Sequence, residues 1–312
     1  MIDRNSSHTA IRVDLSRSGI RTRFAYDGAM HYALMSGAGN RFAVFDGFDR
    51  GAPEHPVEAA RAICAPRDEG GITPRPDGIL LLLPAIAGGD CRMEIYNADG
   101  SRPETCGNGL RCIAKLAHDR GHVAKTRFTI ETDAGPCPTE VHLENGVVTR
   151  ARVHMGTPRI VARDQTLAVA ISGKGSPSST VHATLVDVGN PHCVLVVDDE
   201  RTAPVTTLGP ALERHAHFSN GTNVEFLALR DGGAHLRVWE RGVGETQACG
   251  SGACAAAVAM VARELATWPV RLELPGGTLE VESDGRGGVF LSGPVETLRT
   301  GEWHPSPARE RR

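Results

Sequence analysis

Two short stretches, Glu104-Thr105-Cys106-Gly107-Asn108-Gly109 and Gln247-Ala248-Cys249-Gly250-Ser251-Gly252, repeat one Cys-Gly-x-Gly pattern, with their cysteines 143 positions apart. Each precedes a helical pattern. After the first, Leu110, Ile113, Ala114 and Ala117 fall at i, i+3, i+4 and i+7, which predicts a helix from about Asn108 to His118 with one apolar face. After the second, Ala253 to Val261 is apolar nearly all round. A helix over Ser251 to Leu265 must therefore be enclosed, most simply inside a curled sheet. A pattern repeated at that period implies two similar halves, each carrying one cysteine at the N-terminus of its main helix.

Around these helices strand signals dominate. Cys91 to Tyr96, Arg127 to Thr132, His235 to Glu240, Val270 to Leu274 and Thr278 to Glu282 alternate, with Gly, Asn or Pro between many of them. Residues 1–29 mix Arg, Ser, Asp and Gly without periodicity, and Met30 begins a fresh strand. They are expected to be a flexible extension or the product of a misplaced start codon. The segment from Pro305 to Arg312 is expected to fray. The expected division is residues 30–150 plus 293–312 for the half carrying Cys106, and 151–292 for the half carrying Cys249.

Composition narrows the function classes. An apolar share of 40% with 23% charged residues is that of a soluble globular protein, and a net charge of −3 gives no sign of a surface for nucleic acid or an anionic membrane. The densest apolar run, Ile79 to Leu83, is far too short to span a bilayer, and no signal-type apolar core opens the chain. A cytoplasmic protein is expected. Its 8 cysteines should then be reduced thiols, and they lack the paired short spacings of a zinc site, so no metal is expected.

Two cysteines at two helix starts make a chemical statement. Unpaired N–H groups and the helix dipole favour a thiolate, and can lower its pKa from about 8.5 into the range ~3.5 to 7.5. The glycines at 107, 109, 250 and 252 let main-chain amides approach a carboxylate closely. If the halves face each other, a bound carboxylate sits between two helix N-termini with a thiolate on one face of its α-carbon and a thiol on the other. That arrangement inverts a stereocentre. The bland reading, cysteine as a small buried hydrophobe, is assigned to Cys64, Cys91, Cys112, Cys137, Cys193 and Cys254. A dinucleotide fingerprint at Gly250-Ser251-Gly252 is rejected, because no strand ends directly before it and Trp268-Pro269 stands where the acid should be.

Several blocks in order, Asn97-Ala98-Asp99-Gly100-Ser101, Cys106-Gly107-Asn108-Gly109, Gly189-Asn190-Pro191-His192-Cys193 and Glu240-Arg241-Gly242-Val243-Gly244-Glu245-Thr246-Gln247-Ala248-Cys249-Gly250-Ser251-Gly252, resemble diaminopimelate epimerases. The resemblance runs from Met30 to about Gly301. It implies an α+β fold of two pseudo-symmetric domains, each a curled, mostly antiparallel sheet around a central helix, with the active site between them. It also implies a homodimer, no metal, pyridoxal or nucleotide cofactor, and conversion of LL- to meso-diaminopimelate. Cys106 and Cys249 would be the acid/base pair. Gly107, Asn108, Gly250 and Ser251 would hold the reacting carboxylate. Asn40, Gly78, Asn97, Asn190, Asn223, Glu240 and Arg241 would hold the rest of the substrate, with His192 and Glu240 tuning the thiols. Arg241 suits a distal carboxylate and the asparagines a distal ammonium. Taken alone, Asn40 and Asn223 read as turn residues and His192 as structural.

Two departures mark the rim of the first half: Arg41 stands where the family commonly has an acid, and Pro74-Arg75-Pro76-Asp77-Gly78 replaces a glycine-rich pattern. The rival readings are a racemase of proline or histidine type on the same fold, and a non-catalytic amino-acid-binding relative. Asn108 and Arg241 argue against the proline type, and the presence of both cysteines argues against the non-catalytic reading.

Overall fold

The computed structural model describes residues 29–48, 51–169, 179–230 and 232–305. The expected extension up to residue 28 and the tail from residue 306 lie outside these described residues. Strand β1 (Met30–Gly37) forms an antiparallel hairpin with β2 (Asn40–Asp46). Helix α1 (Pro56–Ile63) leads to β3 (Gly78–Leu83), which runs parallel to β2, and β4 (Cys91–Asn97) returns antiparallel. Helix α2 (Gly107–Asp119) then crosses to β5 (Arg127–Thr132), parallel to β4, and β6 (Gly135–Glu144) and β7 (Val147–His154) follow as an antiparallel meander.

After β8 (Arg159–Val169) the same order of pairings recurs. Strand β9 (Ser179–Asp187) pairs antiparallel with β10 (Pro191–Val197), and α3 (Val205–Glu213) leads to β11 (Asn223–Arg230), parallel to β10. Strand β12 (Gly233–Glu240) returns antiparallel, and the short β13 (Gly244–Thr246) precedes α4 (Gly250–Ala262). Strand β14 (Val270–Leu274) is parallel to β12, and β15 (Gly277–Ser283) and β16 (Val289–Pro294) complete the second meander. Strand β17 (Glu296–Trp303) closes back on β1. The internal repeat inferred from two cysteine turns is thus a repeat of topology.

The last strands of the two meanders, β7 and β16, pair directly, with Val153 opposite Leu291. Among the described residues they tie the halves into one hydrogen-bonded network of 17 strands. Positions 150/151 and 292/293, the expected division, fall inside these two strands.

Each main helix is wrapped by its half. Helix α2 packs on β1, β2, β3, β4, β6 and β7, with β16 of the other half at its edge, and α4 on β8 through β12 and β14 through β16. In α4, Ala253, Cys254, Ala255, Ala256 and Ala257 are all 0% exposed, so only small side chains let the surrounding strands close on the helix. Adding methylenes there would cost roughly 1–3 kcal/mol through overpacking. The helix stops at Ala262, three residues before the expected end. Glu264 adopts a left-handed φ of 60°. The N–H groups of Glu264 and Leu265 turn back to the carbonyls of Val261 and Met260, a Schellman-type stop. Cys64, Cys91, Cys112, Cys137, Cys193 and Cys254 are buried among apolar side chains, as their bland reading expects.

Candidate active site

Both cysteines are helix N-caps. Cys106 (φ −153°) and Cys249 (φ −123°) have extended backbone, and each Sγ accepts from the N–H three residues on, Gly109 and Gly252, at 3.4 Å. The two turns meet. A Cβ placed on Gly250 would lie 3.7 Å from Gly107 Cα and 3.5 Å from Asn108 Oδ1, and Leu291 of β16 presses against both Gly107 and Gly250. Asn108 bridges them: its Nδ2 donates to Ala248 O at 3.3 Å and to Asn40 Oδ1 at 2.5 Å. Both amide hydrogens of Asn108 are committed to these contacts, so what this residue can offer a carboxylate is its main-chain N–H.

The repeat places the remaining residues in equivalent positions. Asn40 begins β2, Gly78 begins β3 and Asn97 ends β4, all at one end of three adjacent strands. In the second half Asn190 directly precedes β10, Asn223 begins β11 and Glu240 ends β12. Their amides are held by neighbours: Asn97 Nδ2 donates to Ser101 Oγ at 2.9 Å, and Asn223 Nδ2 donates to Pro191 O at 3.0 Å. Asn223 Oδ1 accepts from the Arg241 N–H at 2.9 Å. The exposed Arg241 guanidinium donates through Nη1 to Asn220 O at 3.1 Å and makes no ion pair among the described residues. At the altered rim, the Arg41 N–H donates to Asp77 Oδ2 at 2.8 Å, so Asp77 of the unusual segment anchors the backbone next to Asn40.

Carboxylates crowd the second cysteine. Glu240 accepts from the Thr246 hydroxyl and its charge bears on Cys249, and Ser251 Oγ lies 3.5 Å from Cys249 Sγ. His192, buried, sits with Nδ1 2.6 Å from Glu225 Oε1 and Nε2 2.9 Å from Asn190 Oδ1. Glu225 is 0% exposed, and its second oxygen has no hydrogen-bond partner among the described residues.

The expected lowering of the two thiols is corrected here. Burial pushes Cys106 up against the N–H groups of Gly109 and Asn108, and burial followed by the Glu240 charge pushes Cys249 well up. Loss of water costs each thiolate more than its helix-start donors return. Burial likewise raises the Glu240 and Glu225 carboxyls.

Three residues bear on the site without having been singled out in the sequence: Glu225 beneath His192, Thr246 on Glu240, and Arg111. The last is 0% exposed and donates to Asn108 Oδ1 at 2.7 Å and to Gly107 O at 3.2 Å. Glu225 and Arg111 share one available signal, a charged residue inside an otherwise apolar run, which demands a buried partner. Among the described residues no group of His, Cys, Asp and Glu is arranged to hold a metal ion, and no helix is long and apolar enough to cross a membrane.

Comparison with known proteins agrees with this architecture. The family model for diaminopimelate epimerase matches residues 32–161 and 184–298. The diaminopimelate epimerase of Desulforudis audaxviator is 41% identical over 285 residues, covering 88% of this chain and 99% of that protein. That of Moorella thermoacetica is 40% identical over 282 residues, covering 86% and 98%. A probable proline racemase from Agrobacterium radiobacter K84 has the same fold, with a TM-score of 0.67 at 17% identity over 89% of this chain and 94% of that one. A hydroxyproline epimerase from Agrobacterium vitis superposes with a TM-score of 0.66 at 16% identity, over 89% and 93%. Matched across both repeats by the family model and along nearly the whole length of these relatives, the chain belongs to the diaminopimelate epimerase family.

Proposed function

We propose that this enzyme converts LL-diaminopimelate to the meso isomer without a cofactor, with Cys106 and Cys249 as its acid/base pair. One observation carries the reading: two cysteines cap two helices whose first residues, Gly107 and Gly250, pack against each other. A carboxylate at that junction would accept main-chain N–H groups from Gly107, Asn108, Gly250 and Ser251, leaving its α-carbon between the two sulfurs.

One thiolate takes the α-proton and becomes a thiol. The electron pair left on the α-carbon delocalises into the carboxylate, where the amides stabilise it, and the opposite thiol delivers its proton to the other face and becomes the thiolate. The sulfurs have then exchanged roles. Because burial raises both thiols, ionisation is coupled to binding: the substrate's α-ammonium brings in the positive charge a thiolate needs there. At the far end, Arg241 would clamp the distal carboxylate, and Asn40, Asn97, Asn190, Asn223 and the backbone of Gly78 would line the rest, with His192 and Glu240 setting the charge around Cys249.

The Arg241 guanidinium, free of ion pairs among the described residues, favours a substrate with a second carboxylate over proline or histidine. A panel of amino acids assayed for α-proton exchange with wild type, Cys106→Ala and Cys249→Ala tests this. Exchange of diaminopimelate dependent on both cysteines is expected, and exchange of proline or histidine alone would overturn the substrate assignment. We further infer a cytoplasmic homodimer, which sedimentation of the purified chain would check.

A further inference from the structure

Arg111 is a fully buried guanidinium that makes no ion pair with a carboxylate among the described residues. Two of its nitrogens are spent on Asn108 Oδ1 and Gly107 O, and its Nε is buried with no partner. The ionisable groups bearing on it are Cys112 of its own helix, Cys106, Cys254 of α4 and, as a like charge, Arg150 of β7. The strand beside it is bare at this point: a Cβ on Gly293 of β16 would lie 2.5 Å from Leu279 Cδ2 and 3.1 Å from Arg111 Nε. A buried cation with no anion is costly, and a protein that merely needed volume here could use Met or Leu.

Its placement is also one-sided. Cys106 is faced by Arg111 and Cys112 from α2 and by Glu240 from β12. Cys249 is faced by Glu240 and by Glu225 of β11, with His192 of β10 bonded to Glu225 behind it. Glu240 thus bears on both sulfurs, while the guanidinium of Arg111 bears on Cys106 and the carboxylate of Glu225 on Cys249.

We propose that Arg111 is a positioning residue of the reaction: it locks the Asn108 amide into the bridge between the two cysteine turns and supplies the cation that makes Cys106 the more readily ionised sulfur. The proposal rests on the reading of Cys106 and Cys249 as the acid/base pair. The two roles separate on substitution. Arg111→Lys keeps the charge but loses the planar fork on Asn108 and Gly107, whereas Arg111→Met keeps the bulk and loses both.

The test uses the full chain without substrate. Iodoacetamide alkylation of each thiol is followed against pH by peptide mass spectrometry, and midpoints are compared rather than absolute rates. In the wild type, Cys106 should have a lower midpoint than Cys249. Arg111→Met should raise the Cys106 midpoint by about one pH unit, roughly a tenfold slower reaction below it, with Cys249 unmoved. Arg111→Lys should restore the Cys106 midpoint while leaving kcat for α-proton exchange depressed. Equal midpoints in the wild type, or a folded Arg111→Met with an unshifted Cys106, would overturn the proposal. If Arg111→Met does not fold, the wild-type ordering and the Lys variant decide. Wild type that exchanges no diaminopimelate proton would remove the proposed function, whereas the alkylation midpoints speak to Arg111 alone.

Discussion

Asn108, the second residue of helix α2, donates its side-chain amide to the main-chain oxygen of Ala248, the residue just before Cys249 and 140 positions away. The bond joins one cysteine turn to the other, and Arg111 behind it holds the amide in the orientation required. Replacing this residue removes a contact between the halves and leaves a buried guanidinium nitrogen without its acceptor. Asn108→Ala should therefore destabilise the protein by about 1–3 kcal/mol in urea unfolding. It should also lower kcat more than KM, because the sulfurs lose their mutual register. Unchanged stability and turnover would show that the bridge does nothing.

Gly250→Ala probes the same junction sterically. The added methyl meets Leu291 Cδ2 at 2.9 Å, with Asn108 Oδ1 and Gly107 Cα close behind. Alanine ordinarily gains up to about 1 kcal/mol over glycine within a helix. Here wedging the helix starts apart should reverse that gain, and a displacement on the order of 1 Å is enough to reduce turnover by about 100-fold. Thermal unfolding together with the α-proton exchange rate reads both effects.

Glu225 makes a prediction whose sign follows from burial. Its carboxyl is raised above the ordinary value of 4.5, first by loss of water, against the opposing pull of His192. Below pH 4.5 the group is protonated folded or unfolded and costs nothing. As pH rises from there towards the raised folded value, the unfolded chain ionises first, so the folded state loses stability relative to it. Glu225→Gln, which cannot ionise, should gain on the wild type across that window in denaturant titrations run at several pH values. A difference independent of pH would contradict the assignment.

Arg241 tests substrate choice apart from chemistry. Charge-assisted hydrogen bonds contribute roughly 1.5–3 kcal/mol, so Arg241→Met should raise KM for diaminopimelate by about 10- to 100-fold with a smaller effect on kcat. An unchanged KM would place the distal carboxylate elsewhere.

The legibility of this fold followed the strength of local signals. Arg127–Thr132 and Val270–Leu274 are strands with the bounds their alternation predicts, and both cysteine helices begin where the glycine turns put them. Helices α1 and α3 were not anticipated: neither has a side-chain N-cap bond, and α3 carries Pro210 in its interior. At the site, a motif written twice made Cys106 and Cys249 readable. Glu225 and Arg111 are written once each, and what explains Glu225, His192, lies 33 positions away. The thiols' ionisation is hidden for a related reason: helix-start donors are visible in sequence, whereas the enclosure that outweighs them is a property of two halves packed together.

The central claim, two sulfurs on opposite faces of one α-carbon, is tested most directly by following LL-diaminopimelate in deuterium oxide through the first few per cent of turnover. Two opposed bases predict that the meso product carries one deuterium at the inverted carbon while recovered LL substrate carries none, since the thiol that protonates the product face is the one equilibrated with solvent. Deuterium appearing equally in recovered substrate and product at these early times would mean a single base serving both faces, and would contradict the account.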